Sequence, residues 1–265
     1  MTTAQTRLTG LVGFPVAHSL SPVIHSAAIE AAGVDAVYLA FSVPPDRIEL
    51  ALEGLVAIGM WGLNVTIPHK GVVLSFADAQ TEEARGVGAA NTLFWDNGQL
   101  WADNTDAIGL QTVLTQLRVQ AEDWVEIIGA GGAARAAAVA AGRLGAMVTC
   151  VARRPDRAKA IMQLACLFGG QPPTKHGKPR VVINATPLGR NGESLDAEYM
   201  GLGPGRIALD LNYEGNSPFL ITARDSGGKA VDGTGMLVAQ AEAAFERWFT
   251  HQPPPGVMQR ALGRK

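Results

Sequence analysis

A glycine pattern between Val125 and Ala134 has the spacing of a phosphate-binding loop. Gly129, Gly131 and Ala134 fit the pattern G-x-G-x-x-G/A, after an apolar run and before an alanine-rich one. In such a loop the first glycine permits a tight turn, the second lets the backbone approach a pyrophosphate, and the small third residue lets the helix close on the strand. Free N–H groups at the start of that helix then bind the phosphates. The pattern predicts a dinucleotide site, with a plain structural turn as the alternative.

Two arginines follow the next predicted strand, which spans residues 148–151. An NAD site usually carries Asp or Glu at this point, about 20 residues after the glycines, to hold the ribose hydroxyls. This chain instead has Arg153 and Arg154, whose guanidiniums can hold a 2′-phosphate with charge-assisted, forked hydrogen bonds. NADP is therefore favoured over NAD, and a solvated basic turn before Pro155 is the alternative.

Four polar groupings in the first half of the chain are hard to explain by folding alone. Ser19 and Ser21 place two hydroxyls at a strand-to-helix turn, where they could bind a carboxylate or cap the helix. Lys70 comes just after a buried strand, although a lysine in such a place is usually a surface residue. The segments 88–92 and 103–106 add amide and carboxylate groups, which in turns are often only turn formers.

The elements that must position these groups alternate between strands and helices. The apolar patterns predict strands at 8–13, 37–43, 63–67, 125–128, 148–151, 181–184 and 207–211, and helices at 23–32, 46–58, 106–117, 133–144 and 236–249. The turn Asp96-Asn97-Gly98 between two short apolar segments predicts a hairpin. Alternation of strands with helices indicates parallel α/β layers rather than a β sandwich.

Length and composition limit the classes of function. The chain has 265 residues, 47% hydrophobic and 17% charged, and suits one large folded domain or two smaller ones. The net charge of −2 gives no electrostatic case for nucleic acid or an anionic membrane. Cys150 and Cys166 are too few for a disulfide framework, and the five histidines lack metal-ligand spacing, so we expect no metal. Without a signal-peptide pattern or a membrane-spanning apolar run, we expect a cytoplasmic protein.

Seven motifs, in order along the chain, are similar to those of the shikimate dehydrogenase family (shikimate/quinate 5-dehydrogenases). The resemblance covers nearly the whole chain, from Val12 to about Phe249. The matching segments are 13–22, 64–70, 89–93, 104–106, 129–133, 184–187 with 210–213, and 232–240. Seven ordered matches are far more specific than any one of them.

The resemblance implies an α/β fold of two domains with a cleft between them. Residues 1–105, completed by the helices of 236–265, would form the substrate-binding domain, and residues 106–235 a Rossmann-like NADP-binding domain. The implied activity is that of an NADP-dependent oxidoreductase, the reversible reduction of 3-dehydroshikimate to shikimate by NADPH. That step would place the enzyme in chorismate and aromatic amino acid biosynthesis. Its partners would be small molecules, with no nucleic acid or membrane, in a monomer or homodimer.

The resemblance also assigns site residues. Lys70 and Asp106 would be the catalytic pair. The substrate carboxylate and ring hydroxyls would be bound by Asp106 and by Ser19, Ser21, Thr66, Asn91, Tyr213 and Gln240. The cofactor would be bound by Gly129, Ala130, Gly131, Gly132, Ala133, Arg153, Arg154, Asn184, Thr186, Leu211 and Gly235. Hydride arriving at a ketone carbon leaves negative charge on the oxygen, and Lys70, protonated at neutral pH, could supply the proton.

Some departures from the family pattern leave alternatives open. Ala152-Arg153-Arg154 stands where the family typically has Asn-Arg-Thr, and the segments 166–180 and 213–218 are compact. These changes could indicate a paralogue that acts on quinate or that uses NAD or both cofactors. A non-catalytic shikimate-binding sensor is a further alternative.

Overall fold

The computed structural model describes residues 2–172, 174, 177–189, 192–195, 202–213 and 216–263. The chain divides into two compact units. The first contains Met1–Thr105 and Gln240–Lys265, and the second contains Asp106–Ala239. The chain passes from one unit to the other in two helices, Thr105–Gln116 and Thr234–Phe249.

The first unit is built on one mixed sheet. Its strands are β1 Arg7–Gly13, β2 Ala36–Ser42, β3 Gly62–Val65, β4 Ala79–Gln80, β5 Thr92–Asp96 and β6 Gln99–Asp103. Among the described residues the strand order is β2-β1-β3-β5-β6-β4, and β5 alone runs antiparallel to its neighbours. The helices are α1 Ser21–Ala32, α2 Ile48–Ala57, α3 Val72–Phe76 and α4 Glu82–Val87, followed after the second unit by the end of α9 Thr234–Phe249 and by α10 Val257–Leu262.

Local sequence explains the turns and contacts of this sheet. The predicted hairpin between β5 and β6 is confirmed, and Asn97 and Gly98 both have positive φ, as a two-residue turn of this kind requires. Trp248 of α9 donates its indole N–H to the Leu93 carbonyl at 3.0 Å. A Cβ on Gly62 would lie 2.3 Å from the Trp248 ring, so only glycine lets α9 approach β3 this closely.

The second unit contains a parallel sheet with the order β11-β10-β9-β7-β8 in the described residues. Its strands are β7 Trp124–Ile128, β8 Met147–Val151, β9 Val181–Asn184, β10 Ile207–Asp210 and β11 Lys229–Val231. Its helices are α5 Thr105–Gln116, α6 Gly132–Arg143, α7 Pro155–Leu167, α8 Pro218–Asp225 and the start of α9 Thr234–Phe249. The predicted α/β class with a Rossmann-like sheet is thus confirmed.

The compact segment after α7 replaces what would be a further strand beside β8. Gln171 forms a single parallel bridge with Met147, and its backbone bonds the Val148 N–H at 3.0 Å. Pro172 follows at once, and a proline cannot donate to a ladder of strand hydrogen bonds. Counting this bridge as a rudimentary strand gives the dinucleotide-binding order 3-2-1-4-5-6.

Small residues let α6 pack closely behind the glycine loop. Its alanines from Ala136 to Ala141 are fully buried. A Cβ on Gly142 would lie 2.4 Å from the Ala165 carbonyl of α7, so the two helices approach to backbone contact. No helix of the described residues is both long and apolar enough to cross a membrane.

Candidate active site

A cleft of about 890 Å³ lies in the second unit at the carboxyl ends of β7, β8 and β9. It is lined by Ile128, Gly129, Ala130, Gly131, Val151, Ala152, Arg153, Arg154, Arg157, Ala185, Thr186, Pro187, Leu188, Ser194 and Leu195. In open α/β sheets, ligands bind at this edge, where the chain turns to opposite sides of the sheet. No acidic side chain belongs to the described lining, so the cleft suits an anionic ligand.

Gly129 makes the tight turn that the sequence predicted. Its φ is +112°, a conformation that residues with a side chain rarely adopt. A Cβ there would lie 2.9 Å from the Thr186 methyl carbon and 3.0 Å from the Ala185 carbonyl. The first glycine of the pattern is therefore required by the protein itself.

Gly131, in contrast, is not required by the protein itself. It precedes α6 with an ordinary φ of −87°, and a Cβ there would meet no protein atom within 4 Å. The same open space surrounds Gly132. The first N–H groups of α6 have no carbonyl partner within the helix and are available to an anion. The space over Gly131 and Gly132 therefore fits a phosphate group held against the backbone.

Three arginines, not two, line the cleft. Arg153 and Arg154 are exposed after β8, and Arg157 joins them from the first turn of α7. Arg154 already pairs with Asp156 in a forked contact of 2.8 and 3.3 Å. This pairing lowers the pKa of Asp156. The sequence prediction missed Arg157, although Pro155 at the first position of a helix would have indicated α7 and placed Arg157 one turn from Arg154.

Asn184 and Thr186, both predicted to lie near the cofactor, occupy different positions. Thr186 lines the cleft. Asn184, at the end of β9, is fully buried and donates to Asp210 and to the Leu188 carbonyl, both at 3.0 Å. The Asn184 side chain therefore does not line the cleft but bonds to the backbone of Leu188, which does.

In the first unit, Ser19 lies in the turn before α1, and Ser21 is the first residue of that helix. Ser19 accepts a hydrogen bond from the Ser21 backbone N–H at 3.2 Å, and neither side chain caps the helix, whose N-cap is Leu20. The helix begins with Pro22 in its first turn instead. The capping alternative for these serines does not hold in the structure. Ser21 is buried and Ser19 is half-buried.

Lys70 lies in a short turn that follows β3. Its carbonyl accepts from the Ala90 N–H at 2.8 Å, while the neighbouring His69 ring is buried and contacts the Val43 carbonyl at 2.8 Å. Thr66, one residue beyond β3, donates its backbone N–H to Val12 of β1. These bonds attach both ends of the 66–70 segment to the carboxyl edge of the sheet.

Asn91 lies at the centre of a buried polar network in the first unit. Its side-chain oxygen accepts from the Thr105 N–H at 2.8 Å, and its amide contacts Gln240 at 3.4 Å. Behind it, Asn64 donates to the Thr92 hydroxyl at 3.2 Å and accepts from the Tyr38 hydroxyl at 2.8 Å. The sequence prediction named Asn64 only as part of a motif and missed Tyr38, whose partner lies 26 residues away.

The remaining predicted residues lie as follows. Asp106 is buried in the first turn of α5, and Gln240 is buried in α9. Ala133 is half-buried in α6 and Leu211 half-buried after β10, while Tyr213 and Gly235 are exposed. Thr66 and Lys70 are half-buried. Within the described part of the chain, no group of three or more His, Cys, Asp or Glu side chains could hold a metal ion.

Two family models match the chain. Residues 11–93 match the shikimate dehydrogenase substrate binding domain. Residues 233–262 match the shikimate 5′-dehydrogenase C-terminal domain. The first match runs from within β1 to within β5 of the mixed sheet, and the second covers α9 and α10.

Full-length relatives and solved structures agree with these models. A curated shikimate dehydrogenase (NADP(+)) of Citrifermentans bemidjiense is 38% identical over 99% of this chain and 97% of its own. The crystal structure of shikimate dehydrogenase from Aquifex aeolicus superposes with a TM-score of 0.90 at 33% identity, covering 100% of both chains. The Thermus thermophilus enzyme in complex with NADP(H) and shikimate has a TM-score of 0.86 at 32% identity, covering 97% of this chain and 99% of its own.

Proposed function

The chain belongs to the shikimate dehydrogenase family, and we propose that it catalyses the reversible, NADPH-dependent reduction of 3-dehydroshikimate to shikimate. The observation that carries this proposal is a cleft lined by a glycine loop and three arginines, in a chain whose other unit carries the polar set around Lys70 and Asn91. A step of this kind belongs to chorismate and aromatic amino acid biosynthesis.

The residues of the cleft fit NADP. The open backbone at Gly131 and Gly132 suits the pyrophosphate, and Arg153, Arg154 and Arg157 suit the 2′-phosphate. When bound, the cofactor supplies the hydride. The lack of an acidic lining residue in the described chain argues against the ribose contact that an NAD site usually has.

Lys70 is our candidate for the proton donor. Its ammonium would stabilise the negative charge that develops on the carbonyl oxygen and then transfer a proton to it. The backbone bond from Ala90 to the Lys70 carbonyl and the His69 contact fix the turn that carries it. Asp106, buried at the start of α5, would orient the ammonium and a substrate hydroxyl.

The other polar residues assigned to the substrate site would bind the substrate. Ser19, Ser21 and Tyr213 would hold the carboxylate, and Thr66, Asn91 and Gln240 the ring hydroxyls. Asn91 is suited to this role because its oxygen accepts from Thr105, which sets the direction of its amide N–H group. The enzyme would act in the cytoplasm as a monomer or homodimer, without nucleic acid or membrane partners.

The deciding experiment compares kinetics with shikimate and quinate, each with NADP⁺ and NAD⁺. We expect the highest kcat/KM with shikimate and NADP⁺. A clear preference for quinate with NAD⁺ would establish the paralogue alternative. Binding of shikimate without turnover would establish the sensor alternative.

A variant separates the role of Lys70 from general damage. Lys70→Ala should lower kcat by about 10²- to 10⁴-fold, the range for loss of a general acid, while the Kd for NADP⁺ stays unchanged. Lys229→Ala, at an exposed lysine of β11, is the matched control and should keep wild-type kinetics. Unchanged turnover in Lys70→Ala would remove the assignment.

A further inference from the structure

We propose that Asp210 is a positioning residue for NADP, acting through the loop that forms one wall of the cleft. The inference rests on the proposed NADP site and adds to it a group that does not line the cleft. Asp210 ends β10, and its side chain is fully buried. A buried carboxylate is costly unless it is fully hydrogen-bonded, so the donors around it indicate what it organises.

The Asp210 carboxylate gathers donors from three separate segments. One oxygen accepts from the Asn184 amide at 3.0 Å and from the backbone and side-chain nitrogens of Asn212 at 3.1 and 2.9 Å. The other oxygen accepts from the Ser217 hydroxyl at 2.5 Å. Ser217 is also the N-cap of α8. The carboxylate thus joins the end of β9, the turn after β10 and the start of α8.

The two side-chain amides that donate to Asp210, those of Asn184 and Asn212, also donate to backbone carbonyls of the cleft wall. Asn184 donates to the Leu188 carbonyl at 3.0 Å. Asn212 donates to the carbonyls of Thr186 and Leu188 at 3.2 and 3.3 Å. Thr186 and Leu188 both line the cleft. Because an ionised carboxylate only accepts, it forces both amides to turn their NH₂ groups towards it and towards these carbonyls.

The same orientation determines which part of Thr186 faces the glycine loop. The Asn184 oxygen, turned away from Asp210, accepts from the Thr186 hydroxyl at 2.7 Å and from its backbone N–H at 3.1 Å. The hydroxyl in turn accepts from the Leu188 N–H at 3.2 Å. Its proton is therefore used within the loop, and the methyl carbon lies towards Gly129. Thr186 would serve the cofactor by shape and not by donating a hydrogen bond.

Without Asp210, cofactor binding would have to order this loop itself, at a cost in conformational entropy. We expect Asp210→Ala to raise the Kd for NADP⁺ about tenfold, which corresponds to about 1.4 kcal/mol. Titration calorimetry with NADP⁺ measures this without turnover. Kinetics should show a matching rise in KM for NADPH, while kcat at saturating NADPH and KM for 3-dehydroshikimate stay within about twofold.

Asp210→Asn tests whether the oxygen acceptor is what matters. Its amide oxygen can still accept from Asn184 and Asn212, and its NH₂ can donate to the Ser217 hydroxyl, so the Kd should stay within about threefold of wild type. Asn212→Ala removes the bonds from this amide to the two loop carbonyls and to Asp210, and leaves the carboxylate itself in place. It should weaken NADP⁺ binding about fivefold and provides the test if Asp210→Ala does not fold.

Phe219→Leu is the control for a loss of stability alone. Phe219 is the second residue of α8, its side chain is buried in the hydrophobic core, and no hydrogen bond of the described residues joins that side chain to the loop. The melting temperature of Phe219→Leu should fall, but the Kd of this variant for NADP⁺ should not change. Wild-type affinity in Asp210→Ala or Asn212→Ala, or an equal loss of affinity in Phe219→Leu, would overturn the inference. Failure of the wild-type protein to bind NADP⁺ would instead overturn the proposed function.

Discussion

The two glycines of the loop should respond in opposite ways to the same substitution. In Gly131→Ala, the new Cβ meets no protein atom within 4 Å, and the φ of −87° suits alanine. We therefore expect the unfolding free energy of the cofactor-free protein to change by less than about 0.5 kcal/mol, as for an ordinary surface substitution. In Gly129→Ala, the φ of +112° is strained and the Cβ lies 2.9 Å from Thr186. Strain of this kind costs about 1–3 kcal/mol.

The assay is thermal unfolding without cofactor, followed by titration with NADP⁺. For a domain of this size, about 2 kcal/mol lowers the melting temperature by about 4–8 °C, so only Gly129→Ala should melt early. Gly131→Ala should lose a charge-assisted contact between backbone and phosphate, worth about 1.5–3 kcal/mol, and bind NADP⁺ about 10- to 100-fold more weakly. Early melting of Gly131→Ala, or wild-type affinity for NADP⁺ in that variant, would refute the reasoning.

Three further predictions concern charged groups. Asp156→Asn should release Arg154 for the 2′-phosphate and so lower the Kd for NADP⁺ severalfold without changing the Kd for NAD⁺. Calorimetry with both nucleotides measures the two constants, and equal effects on them would contradict the prediction. Arg247→Met should lower the free energy of unfolding, measured with urea, by about 2 kcal/mol, because Arg247 bonds the fully buried Asp103 at 2.8 Å. The loss should not be larger, since Thr81 and Asn104 still donate to that carboxylate. Burial lowers the pKa of His25 to about 3 from 6.5, so the unfolded state binds the proton first and stability falls as the pH drops below 6.5. The loss of unfolding free energy due to His25 should be on the order of 4 kcal/mol near pH 3. His25→Phe should lack this loss when its unfolding free energy is measured against pH and compared with that of the wild type.

The features that could be predicted from the sequence depend on local backbone chemistry. The Asn97-Gly98 hairpin and the turn at Gly129 each need residues that tolerate positive φ, and such residues stand at those points. The strands β7 to β10 of the parallel sheet were predicted because their apolar runs are bounded by glycine, proline and polar residues, whereas the short edge strand β11 was missed. Helix α8 was missed, although Ser217-Pro218 carries the usual start signal.

The direction of a buried polar side chain could not be predicted in the same way. Asn184 was expected at the cofactor because of its motif, but its amide is directed by Asp210, which lies 26 residues away. The same holds for Asn64, whose partners Tyr38 and Thr92 come from other strands. A sequence pattern shows that such residues are present, while their orientation is decided by which segments the fold brings together.

The reduction of one strand to the Gln171 bridge also bears on where the protein could associate with another molecule. Beyond that bridge, no described strand pairs with Thr149–Val151 on the outer side of β8. An open strand edge of this kind is a template for aggregation or strand exchange with another molecule. Pro172, directly after the bridge, lacks the N–H group needed to extend a ladder from that end. Pro172 therefore closes only the end of the border beside Met147, while the Thr149–Val151 edge of β8 keeps backbone groups with which a strand of another molecule could pair.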